Sequence, residues 1–315
     1  MNSAKIKRLM AGTLGTFCLL VILLLVFALL SNVFFTSSNL ANLLVQSGTN
    51  AIIAIGMTFV IISGNIDISV GSTLALAGCI GAKFMVSTGN TALGILVTLA
   101  SGILLGLFNG ALIAYLGFQP FIVTLSTMWL YRGMAYLYTE GRAIVGLPDA
   151  LVNLGRGKFL GLPNVVWLIV ILYIVCYFVL QKMTFGRKIC AIGDNQESAR
   201  LSGINVKATK LIVFGMSGFF AALSGLVYMS RLNSGQPIAG QSYEMYAIAA
   251  AVIGGASLVK GGIGDIIGTL IGAIFIAGLQ NGLTILNVST YWQQVCMGLV
   301  VLMAVGLDRL RKLVT

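Results

Sequence analysis

Long apolar segments divide this chain and constrain its fold more than any other feature of the sequence. A run of ~20 apolar residues is long enough for a helix to cross the hydrocarbon core of a bilayer. Hydrophobic residues make up 58% of the chain and charged residues only 9%, which is more apolar surface than a soluble fold can bury. We therefore predict an all-α polytopic membrane protein, one domain over residues 1–315, with about ten transmembrane helices. The predicted spans are residues 11–31, 40–62, 69–87, 91–117, 120–139, 163–182, 209–231, 244–259, 263–286 and 291–308.

The positions of the Lys and Arg residues predict which side of the membrane each loop occupies. With both ends in the cytoplasm, thirteen of the nineteen basic residues face inward, six of them within residues 182–210. Cytoplasmic loops of membrane proteins carry such an excess. We therefore expect both termini in the cytoplasm, and the first apolar segment retained as a span rather than cleaved as a signal peptide. Only four basic residues then face outward: Arg142, Arg156, Lys158 and Arg231.

An internal repeat relates two groups of these spans. The Asn-Gly pair at Asn109 lies 172 residues before the pair at Asn281, and this offset carries spans two to five onto spans seven to ten. The two halves, about residues 40–139 and 209–308, are five spans apart, so they insert with opposite orientation. Inverted repeats of this kind are typical of transporters, with the pathway near the repeat interface.

Two short polar breaks interrupt the apolar pattern, at residues 63–69 and 233–241. Both contain glycine and polar side chains, as unwound backbone lining a cavity requires. Asn65, Asp67 and Ser69 in the first break are therefore candidate residues of a translocation path. A carboxylate at a membrane edge is often only a helix cap, so for Asp67 a cap and a gating role both remain open.

The longest polar stretch, the loop at residues 184–208, contains the outline of a short helix. Asp194 can serve as its N-cap with Glu197 three residues later, and Gly203 suits the left-handed position after its end. A helix of about two turns is unstable alone in water. The stretch is therefore either a solvated connection between two spans or a docking helix, with apolar contacts such as Ala199 and Leu201, for a cytoplasmic partner.

Several kinds of chemistry are excluded or disfavoured by the sequence. The chain has no histidine, which excludes catalysis or metal binding by that residue. Its five cysteines lack metal-ligand spacing, and no glycine cluster has the spacing of a nucleotide-binding P-loop. Acidic residues are almost missing from the spans, which argues against a proton-coupled pump. The net charge of +11 is explained by basic cytoplasmic loops rather than by binding of nucleic acid.

Short motifs occur along nearly the whole chain, in a fixed order and spacing. They are residues 56–61 (GMTFVI), 65–72 (NIDISVGS), 120–125 (PFIVTL), 132–133 (RG), 185–187 (FGR), 191–193 (AIG), 199–204 (ARLSGI), 247–250 (AIAA) and 253–257 (IGGAS). Together they resemble the membrane permease subunits of bacterial ABC importers for simple sugars, the ribose-type permeases most closely. Asn65 and Asp194 stand where that family more often has glycine.

This resemblance implies a translocation subunit that moves a monosaccharide, ribose or a related pentose or hexose, into the cytoplasm by alternating access. A stand-alone secondary sugar carrier is the alternative. The expected partners are a cytoplasmic ABC ATPase, a periplasmic sugar-binding protein and a second permease subunit, identical or different, in the bacterial inner membrane. ATP and Mg²⁺ would be bound by the ATPase, so the chain itself would be no enzyme and would bind no cofactor or metal.

The resemblance also implies positions for the functional residues. Phe118 and Gln119, at the inner turn before Pro120, are candidate gate residues, although an ordinary proline-marked turn explains them equally well. Charged residues flanking the outer segments are candidates for docking the binding protein: Glu140, Arg142, Arg231 and Glu244. The coupling helix would contact the ATPase through Gly193, Asp194, Asn195, Glu197, Ala199, Arg200, Leu201, Ser202 and Gly203.

Overall fold

Helices account for most of the chain in the computed structural model, which describes residues 13–314. Apolar segments form helices because a bilayer offers no water to free N–H and C=O groups. The predicted start of the first span and the basic residues Lys5, Lys7 and Arg8 lie outside the described residues. The helices are α1 (Thr13–Leu30), α2 (Ser37–Ile62), α3 (Val70–Thr88), α4 (Thr91–Ala114), α5 (Pro120–Thr139), α6 (Asp149–Arg156), α7 (Asn164–Gln181), α8 (Thr184–Asp194), α9 (Gln196–Leu201), α10 (Val206–Leu232), α11 (Tyr243–Ile253), α12 (Ile266–Ile285) and α13 (Thr290–Val314).

Six of these helices are long and apolar enough to cross a membrane: α2, α3, α4, α7, α10 and α12. Shorter apolar stretches lie in α1, α11 and α13. The predicted class, a helical multi-pass membrane protein, is therefore confirmed. α2 is at the centre of the bundle, where its residues 51–62 are all buried and it packs on α7, α10, α11 and α12.

Each predicted span overlaps one helix, but the eighth is not a full-length span. α11 has 11 residues and is therefore ~17 Å long, about half the ~30 Å thickness of the hydrocarbon core. It ends at Gly254, whose backbone lies against that of Gly268 in α12. Gly255 then has φ +104°, which turns the chain into an irregular segment. The prediction of a span over residues 244–259 is wrong for this reason.

Helix contacts in the two predicted repeat halves correspond to one another. α3 packs on α4, α5 and α10. At the offset of 172 residues its counterpart is α11, which packs on α12, α13 and α2. In the same way α4 packs on α10 while α12 packs on α2. The inverted orientation of the two halves stays a prediction.

Glycines spaced four residues apart allow the closest of these contacts. A Cβ on Gly106 of α4 would collide with the Phe214 carbonyl of α10, and one on Gly218 would collide with the carbonyl of Gly102. In α12, a Cβ on Gly272 would collide with the Ala250 carbonyl of α11. Small residues let membrane helices approach to backbone contact, so these glycines are explained by packing.

The loop at residues 140–162, which the sequence predicts to be external, covers the C-terminal end of α10. Within it α6 packs on α10, and the Arg156 Nε donates a hydrogen bond of 2.9 Å to the Arg231 carbonyl. Four two-residue strands form two antiparallel pairs: β1 (Ile144–Val145) with β4 (Ser234–Gly235), and β2 (Lys158–Phe159) with β3 (Leu162–Pro163). The first pair attaches this loop to the second polar break.

Candidate coupling surface and translocation cleft

The predicted coupling loop contains two helices, α8 and α9. The predicted coupling helix corresponds to α9, and its N-cap is one residue later than the sequence suggested. Asn195 caps α9, because its Oδ1 accepts a hydrogen bond of 2.9 Å from the Ser198 N–H. Asp194 is instead the last residue of α8, and its carboxylate lies 3.4 Å from the Lys260 ammonium group. Asn and Asp are both strong N-cap residues, so the sequence alone could not decide between the two.

The C-terminal end of α9 agrees with the prediction at Gly203, which has φ +82°. The Gly203 N–H donates to the Arg200 carbonyl at 3.0 Å, and the Ile204 N–H donates to the Ala199 carbonyl at 3.1 Å. These two bonds form a Schellman motif, which ends the helix sharply. The left-handed residue directs the chain into α10 and so sets the direction in which α9 projects.

The solvent-exposed side of α9 carries two charged side chains and one large apolar side chain. The Arg200 Nε donates a hydrogen bond of 3.0 Å to Glu197. This hydrogen bond from Arg200 lowers the pKa of the Glu197 carboxyl below its usual range, so the pair is charged at neutral pH. Leu201 is 74% exposed. A helix of six residues with such a surface is suited to contact with another protein.

The opposite side of α9 is used within the chain. Ala199, for which the sequence suggested contact with a partner, is buried in a small cluster with Ile192 of α8 and Val206 of α10. The hydroxyl group of Ser202 donates to the Ser198 carbonyl within α9. Ala199 therefore attaches α9 to α8 and α10. The other predicted coupling residues of this segment are exposed: Asp194, Asn195, Glu197, Arg200, Leu201, Ser202 and Gly203.

The C-terminal turn of α8 contacts the C-terminal end of α2 through Gly193. A Cβ on Gly193 would collide with the Ile62 carbonyl oxygen at the end of α2 and with the Gly262 nitrogen. The Gly262 N–H in turn donates a hydrogen bond of 2.8 Å to the Ile62 carbonyl. Helices α8 and α9 together form the candidate coupling surface. Through Gly193 this surface is in backbone contact with α2 and with the segment between α11 and α12.

The first polar break is unwound, as predicted, and part of it lines an open cleft. The cleft has a volume of about 180 Å³, which is smaller than the ~300–1,000 Å³ of typical small-molecule sites. The Asn65 side chain is 5% exposed and its Nδ2 donates to the Ser63 carbonyl at 2.9 Å. None of the lining residues is charged: Ile61, Gly64, Asn65, Ile66, Pro120, Phe121 and Leu258.

Asp67 and Ser69 lie in the bundle and do not line this cleft. One oxygen of Asp67 accepts hydrogen bonds from the Ser69 N–H at 3.0 Å and the Ser69 hydroxyl at 2.6 Å. The other accepts from the Ser217 hydroxyl of α10 at 2.7 Å. The Asn109 Nδ2 donates to the Ser69 Oγ at 2.8 Å, and the Tyr131 hydroxyl donates to the Asn109 Oδ1 at 3.1 Å. This chain of bonds connects α4, α5 and α10 through the unwound segment.

Phe118 and Gln119 are exposed on the turn between α4 and α5. Phe118 is 53% exposed, and Pro120 and Phe121, the first two residues of α5, line the cleft. The two candidate gate residues are therefore adjacent to the cleft in sequence but are not part of its lining. Their gating role stays a prediction.

The second polar break is also unwound, and sequence reasoning missed the residue that holds it. Arg132 of α5 donates hydrogen bonds of 2.6 and 2.7 Å to the carbonyls of Pro237 and Ala239. Beyond them a Cβ on Gly240 would come within 2.7 Å of the Gly71 carbonyl at the start of α3. The sequence contains a signal for this role, since Arg132 is a lone charged residue in an apolar span. Such a charge is retained only where polar groups compensate it.

Two of the four candidate docking residues are exposed, and the other two, Arg231 and Glu244, are partly exposed. Glu140 and Arg142 are exposed at the end of α5, and Arg231 is partly exposed at the end of α10. Glu244 lies against Gly71, since a Cβ there would come within 2.5 Å of its carboxylate. Their docking roles stay predictions. Within residues 13–314, no group of three or more Cys, Asp or Glu residues could hold a metal ion.

Comparison with known proteins places these features in a family. Residues 39–305 match the family described as branched-chain amino acid transport system / permease component. A ribose import permease protein of Haemophilus influenzae is 45% identical over 297 residues, covering 93% of this chain and 92% of its own. The corresponding protein of Bacillus subtilis is 44% identical over 298 residues, covering 94% and 92%.

A D-allose transport system permease protein of Escherichia coli is 40% identical over 299 residues, covering 94% of this chain and 91% of its own. No solved structure matches the chain. The match covers most of the described helices, including the cleft and the coupling surface. This chain therefore belongs to the family of permease components of branched-chain amino acid transport systems, among relatives that are sugar permeases of ABC importers.

Proposed function

We propose that this protein is the transmembrane permease subunit of an ATP-driven importer that moves a monosaccharide into the cytoplasm by alternating access. Ribose is the first candidate and a related pentose or hexose the second, because the relatives include ribose import permeases and a D-allose permease. The chain is a translocation subunit rather than an enzyme. ATP hydrolysis, with its Mg²⁺, belongs to a separate ATPase subunit.

The observation that carries this proposal is the continuity between α9, α8 and the cleft. The exposed side of α9 offers Glu197, Arg200 and Leu201 to a partner. From there α8 leads to Gly193, which is in backbone contact with α2 and lies beside Gly64 of the cleft lining. A secondary carrier has no need of such a surface. An ATPase bound to α9 would move the structures that border the cleft.

The cleft lining suits an uncharged, hydroxyl-rich substrate. It contains the amide of Asn65 and backbone polar groups beside apolar side chains such as Phe121, and no charged side chain. Charged groups would retain an anion or cation, whereas a neutral sugar needs only hydrogen bonds and an apolar surface. The permease would then select its substrate weakly, and a periplasmic sugar-binding protein would supply most of the selectivity.

The proposed assembly lies in the bacterial inner membrane and contains a second permease subunit, the ATPase and the binding protein. Both termini and the α8–α9 surface face the cytoplasm in this arrangement, which follows the basic residues. We propose ten membrane-inserted segments, of which α11 is a half-length one, and an inverted repeat of spans two to five and seven to ten. A cysteine introduced at Asn205 should react with an impermeant reagent from the cytoplasmic side only.

Reconstituted vesicles test the proposed function. The complete complex should take up labelled ribose only when ATP is inside the vesicles and the binding protein and the sugar are outside. This uptake should occur at zero membrane potential and without ion gradients. Uptake of allose and xylose, measured in parallel, would show which of these monosaccharides the complex transports best. Uptake by the chain alone without ATP, driven by an ion gradient, would overturn the proposal in favour of a secondary sugar carrier.

A further inference from the structure

The segment between α11 and α12, residues 254–265, is here called the inner loop. It contacts α8, the end of α2 and α13, and one of its residues lines the cleft. The irregular backbone is stabilised by a hydrogen bond of 3.2 Å from the Ser257 N–H to the Ile263 carbonyl. A twelve-residue loop with this many partners is held in a defined position.

The contact of the inner loop with α8 is made between glycine backbones. A Cβ on Gly261 would collide with the Gly193 carbonyl, and one on Gly262 would come within 2.8 Å of the Cys190 carbonyl. Backbone atoms in such contact cannot adjust by rotation of a side chain. Packed structures shift as units rather than deform continuously, so a displacement of the C-terminal turn of α8 must displace the inner loop.

Asp308 near the end of α13 holds the other side of the loop. Its Oδ2 accepts hydrogen bonds from the Leu258 N–H at 2.9 Å, the Val259 N–H at 3.2 Å and the Ser257 hydroxyl at 3.1 Å. The side chain is buried, with 6% exposure. Hydrogen bonds to a carboxylate are among the stronger ones in proteins, so these three bonds fix the position of Leu258 relative to α13.

We infer that the inner loop transmits movement of α8 to the cleft, and that Asp308 is the positioning residue for this transmission. Leu258 lines the cleft, and so do Gly64 and Ile66 of the unwound segment. α8 contacts Gly64 directly, through Gly193. It is connected to Leu258 indirectly, because Gly261 and Gly262 of the inner loop contact α8. The separation of Ile66 and Leu258 therefore follows the position of α8. This inference rests on the proposed function, since the ATPase is what moves α8.

The test compares variants of Asp308 in the complete, reconstituted complex. Asp308→Ala leaves three donors without their acceptor, so the sugar transported per ATP hydrolysed should fall at least about fivefold, the lower range of allosteric couplings. ATP hydrolysis itself should continue. Asp308→Asn keeps one oxygen and should restore part of the ratio. Asp149→Ala, which removes an exposed carboxylate from the outer helix α6, is the control and should leave the ratio unchanged.

A distance measurement separates transmission from a merely structural role. Spin labels are placed at residues 66 and 258 after the five native cysteines are replaced by alanine. The label separation should differ between the nucleotide-free and the ATP-trapped complex, and this difference should vanish in Asp308→Ala. If that variant fails to assemble, Ser257→Ala, which removes one of the three bonds to Asp308 and the acceptor of the Lys260 N–H, should reduce both the ratio and the difference.

Three outcomes overturn the inference, and they differ from failure of the proposed function. An unchanged ratio of sugar to ATP in Asp308→Ala, or in Ser257→Ala where that variant must replace it, excludes the positioning role. A label separation that responds equally to ATP with and without the carboxylate likewise excludes Asp308 as the positioning residue, and one that does not respond to ATP in the unmodified complex excludes transmission to the cleft. Absence of ATP-driven uptake in the unmodified complex would instead count against the proposed function.

Discussion

Replacement of Asp67 decides between the two roles that the sequence leaves open for this residue. The carboxylate is 2% exposed and accepts three hydrogen bonds, two from Ser69 and one from Ser217. The hydrogen-bond network extends from the carboxylate through Ser69 to Asn109 and Tyr131. The carboxylate does not line the cleft. We therefore expect Asp67 to hold the unwound segment against α10 rather than to contact the sugar.

The magnitude follows from the donors that lose their acceptor. In Asp67→Ala the hydroxyl group of Ser217 and two donors of Ser69 are left in the bundle interior, at a cost of ~1–3 kcal/mol for each group that finds no other partner. Relief from burying a carboxylate offsets part of this. We expect a net loss of about 3 kcal/mol. Asp67→Asn retains one oxygen and should lose about half as much, and Ser217→Ala about 1 kcal/mol.

Unfolding of the purified chain in mixed detergent micelles, followed by the fluorescence of its tryptophans, measures these differences. The control is Asp149→Asn, an exposed carboxylate on α6, which should stay within about 0.5 kcal/mol of the unmodified chain. Sugar uptake per folded complex should be nearly normal in Asp67→Asn. A stable Asp67→Ala protein that assembles but transports no sugar would refute this reasoning and assign Asp67 to the path.

Four further changes test other parts of the molecule. Asn195→Ala removes the α9 cap, so it should destabilise that helix by about 1 kcal/mol and lower ATP-driven uptake more than Asp194→Ala does, at equal membrane insertion. Gly203→Val places a β-branched residue at φ +82°, which such residues rarely adopt, and should abolish uptake; normal uptake would make α8 and α9 a plain connection. Phe118→Ala should raise basal ATP hydrolysis or sugar leak without loss of assembly, and unchanged values of both would count against a gate. Arg142→Glu should slow association of the binding protein more at low than at high salt; an effect independent of salt, in stopped-flow measurements, would contradict a docking role.

Local patterns in the sequence were sufficient for most of the helices. Each predicted span overlaps a helix because helical hydrogen bonds are the means by which an isolated apolar segment satisfies its backbone in lipid. The glycine at position 203 was predicted to be left-handed and has φ +82°. Such features depend on residues close in sequence, so they can be read without the fold.

Predictions failed where two neighbouring residues had similar propensities or where a distant contact decided the outcome. Asn195 rather than Asp194 caps α9 because the backbone turns at residue 195, with φ −154° and ψ 106°. Ala199 was expected to face a partner, yet it is buried between α8 and α10. The eighth span is cut short at Gly254 by the approach of α12. Each of these outcomes depends on packing between separate elements.

The sequence by itself determined the class of the protein, its family and the approximate position of every apolar helix, because composition, periodicity and motif order are properties of the linear chain. Only the tertiary structure decided which polar residues meet. Asp67 and Ser217 are 150 residues apart and Arg132 and Ala239 are 107 apart, and Asp308 reaches the loop at Leu258. In a bundle interior a polar group must find a partner among the helices packed around it. That partner is chosen by the arrangement of the helices, which no local segment specifies.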